Sequence, residues 1–203
     1  MGIVDQNDAE RHFKPFHNEF YDAIQLGMNE FLTIESRQRL ILSDSAKAMV
    51  LNCFIRNELS KVATRRQGIL TAIFNDAPNS CDFVLLGKYA FRVKKLNSRN
   101  DRAGNSKTKR VEAIESNEQN LPGMPEPPDW LVLGYMVNPP FTKILRVSLS
   151  HQDHTHVNWL VPIGVDYEQE KIALAAQALP EETPMVEVRP KKTAAGERKP
   201  KEG

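Results

Sequence analysis

Nine lysines and arginines lie within residues 88–110: Lys88, Arg92, Lys94, Lys95, Arg99, Arg102, Lys107, Lys109 and Arg110. Asp101 is the only acid among them, so this stretch carries +8 while the 203-residue chain carries only +1. A one-sign segment creates a local field that the balanced total conceals, and such a field attracts polyanions, nucleic acid first among them. Arg92 and Lys94 are two residues apart on a predicted strand and should point the same way. If about six of these cations neutralise phosphates, binding should fall with salt at a log–log slope of roughly −5. The alternative is a solvated sheet face and loop paired with Glu112, Glu115 and Glu118 just downstream.

Two further groups could do chemistry. His151, His154 and His156, with Asp153 between them, are spaced H-x-x-H-x-H, and neutral imidazoles suit zinc or nickel. No HExxH or CxxC supports this candidate metal set, and a polar hairpin loop explains the same residues. The order Asp82, then Arg92-Val93-Lys94 on the next strand, resembles the PD-(D/E)xK nuclease core. That chemistry needs Asp82 and an acid two residues before the lysine to hold a divalent metal. Here Arg92 occupies the second position, and a guanidinium repels a metal. Glu58 on the second helix is a distant substitute, and a five-stranded antiparallel sheet would suit that fold poorly. A non-cleaving relative of that core is an alternative of similar weight. Nucleophile-elbow, phosphate-loop and dinucleotide fingerprints are absent from the sequence. No cofactor is expected, and the pattern favours a binding module over an enzyme.

The elements that must carry these residues show in the apolar period. Phe16, Phe20, Ile24, Met28 and Phe31 recur every three or four residues after Pro15 and predict a helix. A second helix is predicted from Asp44 to Ala63, capped by Ser43, with Ala46, Met49, Val50, Cys53, Phe54 and Val62 as its apolar stripe. Beyond the turn cluster at 75–80 the period changes to two. Strands are predicted at Asp82–Leu86, Tyr89–Leu96, Trp130–Val137, Thr142–Leu149 and Val157–Ile163, the first two joined through Gly87-Lys88. Short helices are expected over Thr108–Asn117 and 166–179, and the proline-rich run 121–129 is a connector. Trp130 and Trp159 read as sheet packing, and Cys53 and Cys81 as buried thiols of a reducing compartment.

These elements predict an α+β protein: two N-terminal helices packed on a mainly antiparallel five-stranded sheet, with a disordered C-terminal tail. Residues 1–12 should be a flexible N-terminus, and 13–179 a single domain with a helical part at 13–74 and a sheet part at 81–165. Residues 180–203 should be the tail. The chain shows neither a secretory signal nor a membrane-length apolar run, which predicts a cytoplasmic location without membrane contact.

The segment from FRVKK through WLVLGYMVN to VNWLVPI is similar to a set of uncharacterised bacterial and phage accessory proteins. These are encoded near helix-turn-helix regulators and ImmA/IrrE-like metallopeptidases. The resemblance covers about 80 residues, Asp82 to Ile163, and implies an accessory part in a mobile-element, phage or defence setting. It carries no catalytic residues to transfer. The leading expectation is a non-catalytic nucleic-acid-binding protein using residues 88–110. The alternatives are a protein–protein adaptor or antitoxin-like inhibitor meeting an acidic partner, and a metal-dependent hydrolase using the histidine loop.

Overall fold

The computed structural model describes residues 4–74, 81–104, 127–153 and 156–164. Four α-helices precede and cover a six-stranded sheet: α1 Gln6–Phe13, α2 His17–Thr33, α3 Ser36–Ile41, α4 Asp44–Arg65, β1 Leu70–Phe74, β2 Cys81–Leu85, β3 Tyr89–Lys95, β4 Asp129–Val137, β5 Ile144–Gln152 and β6 Val157–Ile163. The fold class is α+β, as the period change predicts.

The strands lie in chain order, β1 to β6. Four of the five pairings are antiparallel, and β3–β4 is parallel, with Tyr89 opposite Asp129 and Lys95 opposite Tyr135. The expected five-stranded sheet therefore gains a strand, β1, and one parallel crossover joins the β1–β3 part to the antiparallel run β4–β6. A parallel pair cannot be closed by a hairpin and needs a long connection.

The N-terminus differs from expectation. Residues 6–13 are helical rather than flexible because Asp5 caps the helix, accepting from the amides of Asn7 (2.8 Å) and Asp8 (3.1 Å). Ala9 and Phe13 are fully buried, and Asp8 accepts from Lys88 Nζ (2.5 Å) and from the Tyr89 hydroxyl. A single 3-10 turn at Lys14–Phe16 then redirects the chain into α2.

The core lies between the helices and one face of the sheet. Phe13, Phe20, Phe83 and Phe91 cluster there, with Phe91 ring centroids 5.5, 5.3 and 5.4 Å from the other three. Each fully buried phenylalanine contributes about 1.5–3 kcal/mol. Against this cluster α2 presents Phe20, Ile24, Met28 and Phe31, as its period predicts. The core stripe of α4 shares only Val62 with the predicted one. It is Leu51, Ile55, Leu59 and Val62, while Met49 is exposed and Ala46, Val50, Cys53 and Phe54 are only half-buried. The two helices cross closely at Gly27, where a Cβ would sit 2.7 Å from the backbone of Ile55.

Trp159 joins this core and its indole donates to the carbonyl of Val4 at 2.7 Å. On the opposite sheet face Val84, Ala90 and Trp130 form a smaller apolar cluster. The tryptophans are sheet packing, as expected. The side chain of Cys81, the helices expected at 108–117 and 166–179, and the tail at 180–203 lie outside the described residues.

Candidate functional site

The basic strand β3 has two dissimilar faces because its pleat alternates. Tyr89, Phe91 and Val93 enter the core. Arg92 and Lys94 point the other way, toward a cleft of about 740 Å³ between the edge of β3 and the outer face of α4. Asp44, Ser45, Ala48, Met49, Asn52 and Arg56 line the helix side. Asp82 and residues 92–98 line the strand side. The pairing of β2 with β3 extends only from Phe83–Phe91 to Leu85–Tyr89, which leaves the second half of β3 to border the cleft.

Arg92 does not offer its charge to solvent. Its Nε donates to Asp82 Oδ1 at 2.5 Å and its Nη2 to Oδ2 at 3.3 Å. The Asp82 side chain is 1% exposed and that of Arg92 15%. The guanidinium also lies over the Trp130 ring, 5.2 Å from its centroid. Hairpin register places these partners side by side, ten residues apart in sequence.

Lys94 stands differently. It is half-buried beside Arg92 and Arg56, and no carboxylate lies within ion-pair distance of it among the described residues. Burial pushes its ammonium below the ordinary lysine value, and the neighbouring charge of Arg92 adds to this. Lys95 lies over the Phe141 ring at 5.4 Å, next to Lys47 at 5.5 Å. Asp44, the other acid of the cleft, is engaged by Lys47 at 3.3 Å. With Asp82 and Asp44 both paired, Lys94 and Lys95 are the lysines that line the cleft.

The remaining basic residues divide. Lys88 is tied to Asp8, which lifts its ammonium well above the usual range. Burial, joined by the bond to Asp8, pushes the Tyr89 phenol up to about 12. Arg99 is exposed and Arg102 half-buried. The described part of the loop, 97–104, is not free to reach out. Asn97 N donates to Arg102 O (2.9 Å), Ala103 N to Gln152 Oε1 (2.8 Å), and Arg146 donates to Asp101. Lys107, Lys109 and Arg110 lie outside the described residues. Among the described basic residues, Lys88 and Arg92 are held in ion pairs, while Lys94 and Lys95 line the cleft.

The histidine loop gathers no metal set among the described residues. His151 is buried against Trp159, with ring centroids 6.1 Å apart, and its Nδ1 is 3.1 Å from the Asn158 amide. Burial lowers its pKa, against the pull of Asp129 and Asp153. His156 is exposed, 3.9 Å from Asp153, and His154 lies outside the described residues.

Asn52 and Arg56 went unrecognised in the sequence because α4 reads as a core helix with a basic end. The one available signal was their spacing of four, which puts both on one face. No helix among the described residues is long and apolar enough to cross a membrane. Comparisons with known protein families, with curated proteins and with solved structures return no match for this chain.

Proposed function

We propose that this protein is a nucleic-acid-binding accessory protein that holds phosphate in the cleft between α4 and β3, without cleaving it. Lys94 carries the reading. An ammonium withdrawn from water is costly unless an anion compensates it, and the pull of Asp82, already paired with Arg92, offsets the burial of Lys94 only in part. An incoming phosphate supplies that compensation, in a cleft that Lys95 and Arg56 also line. Cleavage is disfavoured because Asp82, the acid a metal would need, is already neutralised by Arg92. The mobile-element or defence setting rests on the sequence resemblance.

The test is fluorescence anisotropy with labelled DNA and RNA oligonucleotides at 50 and 200 mM salt. Three cations engaging phosphates of a single strand give a log–log slope of about −2, so affinity should fall about 20-fold between those salts. This is shallower than nine available cations would give. The K94E/K95E variant should lose the salt-sensitive component. Absence of binding at 50 mM salt, or binding indifferent to K94E/K95E, overturns the proposal.

One observation favours a second reading, a protein–protein adaptor. Helix α3 buries none of its residues, and Leu40 and Ile41 are 78% and 83% exposed. A pull-down with an L40D/I41D variant as control tests that reading separately.

A further inference from the structure

We infer that the cleft selects a single strand over a duplex, and that the recessed position of Lys94 is what discriminates. This rests on the nucleic-acid reading above and names its substrate class. The Lys94 side chain stands below the protein surface, between the open half of β3 and the outer face of α4. To reach it a phosphate must enter the cleft. Duplex DNA is stiff over about 150 base pairs and carries its phosphates on a convex rod. It can touch the rim but cannot fold a backbone into the recess. A single strand bends at every nucleotide and can.

The size agrees. A cleft of about 740 Å³ falls in the range of pockets that enclose small ligands, and so has room for about two nucleotides. Its walls suit the rest of a nucleotide as well as its phosphate. Met49, 52% exposed, offers an adaptable apolar surface to a base. Asn52 and Ser98 line the cleft, and the buried Oδ1 of Asn52 has no hydrogen-bond partner among the described residues. An acceptor so placed matches an exocyclic amine or a ring N–H of a base. Aromatic platforms are missing from the lining, so recognition depends on phosphate and hydrogen bonds and not on stacking.

The experiment compares a labelled 12-nucleotide single strand with the same sequence as a blunt duplex, on wild type and on K94M. The methionine keeps the length and apolar stem of the lysine, so circular dichroism should be unchanged. Wild type should bind the single strand at least tenfold more tightly than the duplex at 50 mM salt. K94M should lose about tenfold on the single strand and less than twofold on the duplex. The 5′-phosphorylated dinucleotide of thymidine should compete with the single strand for wild type. Equal affinity for the two forms, both weakened by K94M, overturns the strand selectivity while leaving phosphate binding in the cleft intact. Binding of neither form overturns both. Single-strand preference that survives in K94M overturns the role given to Lys94.

Discussion

Replacing Arg92 with methionine removes one partner of an ion pair that is almost wholly out of water. In the folded protein the Asp82 side chain is 1% exposed and receives two guanidinium hydrogen bonds, at 2.5 and 3.3 Å. Removing one member of a buried pair generally costs about 3–5 kcal/mol, because the other charge stays desolvated. Asp82 has a further interaction besides Arg92, which places R92M at the lower end, about 3 kcal/mol. With a urea slope of about 2 kcal/mol/M, the unfolding midpoint should drop by about 1.5 M with the slope unchanged. The double variant D82L/R92M removes both charges and leaves apolar groups beside Val84, Ala90 and Trp130. It should return to within about 1 kcal/mol of wild type, since paired buried charges yield little net stability over apolar replacements. The assay is urea unfolding of the three proteins followed by tryptophan fluorescence. A midpoint shift under about 0.4 M for R92M, or a double variant no more stable than the single one, would refute the reasoning.

Three other outcomes follow from the packing. Burial lowers the His17 pKa from 6.5 to about 4, so the unfolded chain takes up the proton first as pH falls. Its contribution is intact above pH 6.5 and is lost progressively toward pH 4, about 3 kcal/mol in all; urea midpoints across this window should fall in wild type and flatten in H17L. At Gly27 a methyl group would meet the Ile55 backbone at 2.7 Å, so G27A should cost about 2 kcal/mol or more by forcing α2 and α4 apart. G134A should cost less, since the atoms nearest its methyl, at 2.6 Å, belong to the Leu96 side chain and not to backbone.

Much of this fold was legible where a single period ran long enough. The apolar face of α2 and the alternation of β3 are examples, and both survive in the structure as predicted. Helix α1 was not legible, because QNDAERHF holds only two core residues, Ala9 and Phe13, and two do not define a period. Strand β1 was hidden because only a short turn separates it from α4, so LTAIF reads as a helical tail. The apolar stripe of α4 was misplaced because two stripes compete around that helix, and the tertiary contact with Gly27 and the sheet decides between them. The direction of β4 depended on the long connection after Lys95, whose length permits a crossover as well as a reversal. The candidate site was half legible. Local charge density located Lys94 and Lys95. It could not show that Arg92 and Lys88 are spent on Asp82 and Asp8, because those pairings arise from strand register and from a helix 80 residues away.

The hydrogen bond from Trp159 to the carbonyl of Val4 joins the first described residue to the last strand. On a ribosome the chain emerges from its N-terminal end, so α1 is exposed to the cell long before β6 exists. Its seat is only partly built by β3, and the tryptophan that fastens the segment ahead of it comes with β6. The residues ahead of α1 must therefore stay unfastened until β6 is made and close last, as a latch. A nascent chain stalled before Val157 should leave that end accessible to a protease, and a chain released after Ile163 should protect it.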